Sequence, residues 1–442
     1  MIERFNWSEA RTRGVALARP RGRDDPALTA DVQAIVADVR ARGWAGLSEQ
    51  ALRIDGAAPA LLEVAPYAQQ ARATLSAAAI DAMALAKRNI ETFHRQTRPR
   101  DVEVETMPGL SVAKQWRALD SAGLYVPGGK APLYSTLLML AIPARVAGVK
   151  TLTVVTPPRR AGGLDPAIAL AAEHCGIDAV WAVGGAQAIA ALAFGAGEIA
   201  PVDRICGPGN AWVAAAKAYV AAAPGGPGID LPAGPSELMV IADDSADPAT
   251  VAADLLSQAE HDLQAQVLLV SPSAQMIDAV TREWTRRTAD GEFAPARAIL
   301  CASLDEAVSI ANAYAPEHLS LATDRADALV PLVVNAGAIF AGHGAAETFG
   351  DYLAGSSHVL PTDGAARFTG GVSVLTFMKA ITVQRVSASA ARALAAPAAA
   401  LARLEGLEAH ALAAEARSSP RAQPSLRTQP SPRAQPSPRK RA

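Results

Sequence analysis

From Gly123 onward the chain repeats one unit: a short apolar run, a glycine turn, then an alanine-rich helical pattern. Leu124-Tyr125-Val126 leads through Pro127-Gly128-Gly129 towards a helix near Ser135. Residues 179–183 lead through Gly184-Gly185, and residues 202–206 through Gly207-Pro208-Gly209-Asn210. A further strand at 151–155 ends at Pro157-Pro158. The second half continues the alternation, with strands expected at 238–241, 266–270, 298–301 and 338–340, and helices at 247–260, 274–287 and 304–314. Strands separated by helices cannot form hairpins, so the chain is committed to crossover connections and parallel sheets.

The expected fold class is therefore α/β, with two Rossmann-like parallel-sheet domains plus helical N- and C-terminal segments. Residues 1–23 read as an arm. Residues 24–119 and 236–375 are assigned to the first α/β domain, 120–235 to the second, and 376–416 to a C-terminal helical segment. Residues 24–100 read as helices that pack on the block 236–375. After Met378 the pattern is helical again, with an alanine-rich run broken at Pro397.

Composition excludes several classes. With 442 residues, half of them hydrophobic, the chain can bury the cores of two or more domains. The first residues are mixed and polar, unlike a secretory leader. The most apolar stretch, 135–149, carries Pro143 and Arg145 and is too short to span a bilayer. A soluble, cytoplasmic protein without a membrane partner is expected. Three widely spaced cysteines, Cys175, Cys206 and Cys301, fit a reducing compartment and read as buried small hydrophobes. The net charge of −2 hides a basic tail: residues 417–442 hold seven Lys/Arg and no acids, in a loose Pro/Ser/Arg repeat. With few apolar side chains to bury, the tail is expected to be disordered. A nucleic-acid arm is the alternative; a solvated tail is preferred because no aromatic residues interleave the basic ones.

A strand, a glycine turn and a helix start together make a seat for phosphate, because free N–H groups and the helix dipole favour an anion. Three such turns occur here, yet none is a Gly-x-Gly-x-x-Gly, so the usual dinucleotide fingerprint is absent. Gln187 and Asn210, at helix starts, are read as caps or ligand contacts, with capping preferred. Among seven histidines, His94, His174 and His343 read as structural. Four others sit near carboxylates: His261 after Gln258 and Glu260, His318 after Glu317, His358 seven residues after Asp351, and His410 after Glu405. A helix would place Gln258 and His261 on one face. Imidazole, carboxylate and amide oxygen are ligands for zinc-like ions. Glu317 and His318 form a candidate acid/base pair. Spacing alone does not prove a metal site, since no His-Glu-x-x-His is present.

Taken together and in order, the motifs resemble the histidinol dehydrogenase family. They are Gly123–Gly129, Val183–Ala190, Gly207–Asn210, Pro232–Glu237, Ser257–His261, Pro316–Leu319, His358–Thr362 and Glu405–His410. The resemblance spans about residue 24 to residue 415. It implies an NAD-dependent alcohol and aldehyde dehydrogenase that converts L-histidinol to L-histidine, the last step of histidine biosynthesis, with two NAD and one water. It implies one zinc ion (Zn2+) per subunit, held by Gln258, His261, Asp351 and His410. Glu317 and His318 fall on the catalytic pair, and Tyr125, Gln187 and Asn210 on the NAD contacts. Ser236, His358 and Glu405 fall on substrate contacts, with His318, Gln258, His261, Asp351 and His410 also lining that pocket. The resemblance makes 120–235 the NAD-binding domain and the first α/β domain the substrate, metal and catalytic domain. It also implies a homodimer in which the C-terminal segment reaches the other subunit's site. The alternatives are a related zinc and NAD dehydrogenase acting on another small polar alcohol, and a zinc hydrolase without NAD, which the glycine turns disfavour. Trp44 and Tyr134 depart from the family's usual residues, and the tail has no family counterpart.

Overall fold

The computed structural model describes residues 2–19, 25–128, 132–231, 234–289 and 291–418. The tail expectation for 417–442 falls almost wholly outside these, as do Gly129, Pro232 and Ala233. Contacts divide the chain into two units: Met1–Pro99 with Arg117–Lys379, and Arg100–Trp116 with Ala380–Ala442.

The first unit contains two six-stranded sheets of the same construction. In one, five parallel strands run in the spatial order Ala296–Leu300, Gln266–Ser271, Glu237–Ala242, His318–Ala322, Ala338–Ala341. Numbered along the chain this is the order 3-2-1-4-5 of a doubly wound sheet. The arm supplies a sixth strand, Ile2–Asn6, parallel to Ala296–Leu300 at the edge. The other sheet has the same order in Ala179–Ala182, Thr151–Thr156, Ser121–Tyr125, Arg204–Cys206 and Gly228–Ile229. Its sixth strand, Ala60–Glu63, is antiparallel to Ala179–Ala182.

Burial on both faces explains why these strands read as unbroken apolar runs. In Glu237–Ala242, Leu238, Val240 and Ala242 join one core with Val267, Val251 and Trp284. Met239 and Ile241 join the opposite core with Leu268, Leu319 and Tyr314. Each such buried aliphatic side chain contributes about 1.5–3 kcal/mol relative to exposure. The helices between the strands start on local signals. Asp247 accepts the Ala249 N–H with Pro248 in the first turn, and Ser303 accepts the Glu306 N–H.

Several expectations are corrected. Val32, Ile35, Val36, Val39 and Leu47 pack with Val155, Val183 and Ile189, so these early helices cover the sheet of the first block and not that of 236–375. They pack on the crossover helices Gly185–Phe194 and Ala211–Ala222, which themselves cover one face of that sheet. Residues 60–63 form a strand inside the segment read as helical, and the arm is a strand followed by the helix Ala10–Ala16. The hairpin Val102–Met107 and Leu110–Ala118 pairs with Met378–Val386, where helix was expected. Only Ile381-Thr382-Val383-Gln384 alternates with strand period, and the alanine-rich run that follows obscures it. The helix Ala388–Leu404 runs through Pro397 and is not broken there. Cys175, Cys206 and Cys301 are free and buried, and desolvation raises their thiols, Cys175 to about 12 and Cys301 to about 11. None of the described helices is long and apolar enough to cross a membrane.

Candidate active site

The strands Glu237–Ala242 and His318–Ala322 are neighbours, with Leu238 level with His318. Their amino ends therefore place Ser236, Glu237, Glu317 and His318 side by side. The peptide of Glu237 organises the pair: its N–H donates to Glu317 Oε2 at 2.9 Å, and its carbonyl accepts from His318 Nδ1 at 3.1 Å. A carbonyl can only accept, so Nδ1 carries the proton and Nε2 keeps a lone pair. Nε2 has no hydrogen-bond partner and lies 3.9 Å from Asp351 Oδ1. Phe340 stacks on the His318 ring with centroids 5.9 Å apart.

A cavity of about 170 Å³ opens here, lined by Ser236, Gln258, His261, Glu317, His318, Asp351 and His358. Seven of the residues singled out by sequence thus line one cavity. The helix Pro248–Ala259 stops before His261, so Gln258 and His261 do not share a helical face; the chain turns after Glu260 and both still reach the cavity. Gln258 is fully buried with neither amide atom partnered. His358 is oriented by the Asp351 carbonyl at Nδ1 and by Thr136 Oγ1 at Nε2, 3.1 and 3.0 Å away.

Sequence reading missed Glu347. It is buried, its Oε1 lies 3.5 Å from His318 Nδ1, and it forms a tight cluster with His318 and Asp351. Its spacing of four from Asp351 on the helix Glu347–Tyr352 was the available signal. Burial pushes Glu317 and Glu347 well above the usual carboxylate range and Asp351 to about 6. It pulls His318 down to about 3 and His358 to about 4. Three desolvated carboxyls beside two neutral imidazoles are costly in isolation, and a cation among them offsets that cost. With the unpartnered Gln258 amide, this N/O set fits a zinc-like ion.

The carboxyl end of the other sheet carries the glycine turns. The Tyr125 hydroxyl accepts the Gly185 N–H at 3.3 Å, and burial raises it to about 12. Asp55, also missed, accepts from Gly184 N and Gln187 Nε2 at 2.9 and 3.1 Å. Gln187 therefore does not cap its helix, and its buried Oε1 is unpartnered. Asn210 does cap, accepting from Val213 N at 3.1 Å. Gly207 has φ +128, and a Cβ there would sit 2.1 Å from the Tyr125 carbonyl oxygen. The buried pair Lys217 and Asp230 grips that glycine: Lys217 Nζ donates to its carbonyl and Asp230 Oδ2 accepts its N–H. Helix starts at Tyr134, Gly185 and Ala211 follow these turns, so the edge fits a dinucleotide's phosphates.

Glu405 and His410 belong to the second unit, at the end of Ala388–Leu404 and within Glu408–Glu415, and both are exposed.

A family model described as histidinol dehydrogenase matches residues 18–418. The chain belongs to the histidinol dehydrogenase family. It is 45% identical over 396 residues to the histidinol dehydrogenase of Rhizobium meliloti (strain 1021), covering 87% of this chain and 90% of that relative. It is 40% identical over 430 residues to that of Legionella pneumophila, covering 94% and 99%. The crystal structure of histidinol dehydrogenase from Elizabethkingia anophelis superposes with a TM-score of 0.89 at 34% identity, covering 94% of this chain and 98% of that one. Histidinol dehydrogenases are NAD- and zinc-dependent oxidoreductases of histidine biosynthesis, which fits both seats described above. Trp44 packs edge-on against Trp181 with centroids 5.7 Å apart, and Tyr134 lines an apolar cavity with Met83, Ile90 and Leu138.

Proposed function

We propose that this chain oxidises L-histidinol through L-histidinaldehyde to L-histidine, using Glu317 and His318 as the catalytic pair. The observation that carries this reading is the backbone of one residue, Glu237, holding both groups against one cavity through its N–H and its carbonyl. His318 Nε2, unprotonated and unpartnered, takes the alcohol proton as the carbinol carbon gives up a hydride. Glu317 then removes a proton from the water that adds to the aldehyde. Having released the first proton to solvent, His318 takes a second as the hydrated aldehyde gives up another hydride, leaving the carboxylate. Tyr125, Gln187 and Asn210 would hold NAD, which would supply the acceptor for each hydride. Gln258, His261, Asp351 and His410 would hold zinc, which would supply a Lewis-acidic anchor for the substrate. Ser236, His358 and Glu405 hold the rest of the substrate. Burial keeps the aldehyde from bulk water between the steps.

His410 and Glu405 are proposed to act in the site of a second copy. Leu401, Leu404, Leu407 and Leu412 flank them and are all exposed, an apolar surface that suits coverage by another subunit. The division into an NAD-binding half at 120–235 and a substrate half around 236–375 is part of the same proposal.

The test is stoichiometry: purified protein with zinc, L-histidinol and excess NAD is expected to form two NADH per histidine. One NADH, or none with histidinol, rejects the reading. For the dimer, mixing His410→Asn with Glu317→Gln protein is expected to restore activity that each lacks alone, and no restoration rejects exchange.

A further inference from the structure

The catalytic pair is held by the backbone of Glu237, so what holds Glu237 matters. Its side chain is 1% exposed and is gripped by Arg19. Arg19 Nε and Nη2 donate to the two carboxylate oxygens, the second at 2.9 Å. Such a planar fork fixes orientation as well as distance. The same Nη2 donates to the Tyr314 carbonyl at 2.9 Å and the Ala315 carbonyl at 3.3 Å. The guanidinium also lies 3.8 Å from the Tyr314 ring centroid. Ala315 stands two residues before Glu317 in the left-handed region, at φ 58 and ψ 67. A non-glycine residue there is strained and persists only where neighbours hold it. The arm that delivers Arg19 is itself fixed. Ile2–Asn6 pairs along Ala296–Leu300, and Arg297 donates to the carbonyls of Val15, Ala16 and Ala18 at 3.2, 3.0 and 2.7 Å.

We propose that Arg19 is a positioning residue for the dehydrogenase reaction: it locks the residue whose backbone orients Glu317 and His318 to the turn that presents Glu317. One guanidinium thus joins the two strand starts from behind, on a segment that never reaches the cavity. Substrate, metal and NAD contacts lie elsewhere, so loss of Arg19 misplaces the acid/base atoms and leaves the seats intact. Misplacement of this kind lowers turnover more than binding. Lysine is a poor substitute, because a point charge cannot grip both carboxylate oxygens and two carbonyls in one plane.

This inference rests on the reading of Glu317 and His318 as the catalytic pair. The test compares Arg19→Met and Arg19→Lys with Glu317→Gln and His318→Asn in the full chain, measuring kcat with histidinol and with histidinaldehyde, KM for NAD, bound zinc and melting temperature. Both Arg19 variants are expected to lose tenfold or more in kcat for both oxidations, with KM for NAD and bound zinc within about twofold of the parent. A folded Arg19 variant with kcat within twofold of the parent overturns the proposal. So does a fall of zinc, NAD affinity and kcat in step, which marks a general structural role, and so does failure of both variants to fold. If Glu317→Gln and His318→Asn keep full turnover, the reading of the pair is what fails. If they are inactive and the Arg19 variants are not, only the role of Arg19 fails.

Discussion

The two six-stranded sheets share one strand order, yet the chain uses opposite ends of them. In the sheet of Ser121–Tyr125 the functional turns lie at the carboxyl ends, either side of the point where the order reverses, as doubly wound sheets usually do. In the sheet of Glu237–Ala242 the proposed catalytic pair lies at the amino ends of the two strands at the equivalent reversal. Helix polarity gives a physical reason. Helices begin at carboxyl ends of parallel strands and finish at amino ends, so the first edge presents partial positive charge and the second partial negative charge. The first suits a pyrophosphate. The second, with the ends of Pro248–Ala259 and Leu304–Tyr314 nearby, suits a metal cation and a substrate amine. One topology thus serves an anion and a cation by turning different faces to the ligands.

The largest expected effect is at the amino edge. Glu317→Gln is expected to slow histidinaldehyde oxidation by about 10²–10⁴-fold and histidinol oxidation less, measured by single-turnover NADH formation. Equal slowing of both contradicts its role as the water's base. At the carboxyl edge, Gly207→Ala places a Cβ against the Tyr125 carbonyl and strains a positive φ, which costs about 1–3 kcal/mol. NAD affinity by calorimetric titration is expected to fall about tenfold with zinc content unchanged. Unaltered affinity would break the assignment of that edge to NAD. His261→Asn is expected to do the reverse, lowering bound zinc by elemental analysis while NAD affinity stays within about twofold. Full zinc occupancy removes His261 from the ligands and leaves the cluster of His318, Glu347 and Asp351 as the metal seat.

The fold was legible where period and punctuation agreed. Ala274–Arg287 and Leu304–Tyr314 carry Ser caps and helical spacing and form as read from sequence. Met378–Val386 was not legible, because its pairing with Leu110–Ala118 is a long-range choice that local pattern does not reveal. In the site, residues in compact motifs such as Glu317-His318 were visible. Glu347, Asp55 and Arg19 were not, since each works through a partner far along the chain, Arg19 through Glu237 and Asp55 through Gly184 and Gln187. The Glu237 backbone is invisible to any reading of side-chain types.

The smallest effect concerns acid stability, which must be separated from acid loss of chemistry at either edge. His94 is buried with both ring nitrogens unpartnered, and desolvation lowers it to about 4. Its folded value lies below its unfolded value of about 6.5, so the stability it permits is complete above that pH and declines as pH falls towards about 4. His94→Leu is expected to flatten that decline by up to about 2 kcal/mol, read from urea unfolding at pH 5 and pH 8. An equal shift at both pH values would show that packing, not protonation, governs the site.

The edge strand Ile2–Asn6 also sets an order on the making of the molecule. Its partner Ala296–Leu300 lies about 300 residues downstream. At about 5–20 residues per second, a ribosome needs on the order of 15–60 s to supply it. Through that interval the glycine-turn sheet can assemble from its own sequence, while the edge strand of the arm that carries Arg19 waits unpaired with its backbone open to other chains. On the proposed assignments, a nascent chain completes its NAD seat before its acid/base pair is locked. The slow closing step is long-range strand addition, the kind of step that chaperones guard and that dilution favours.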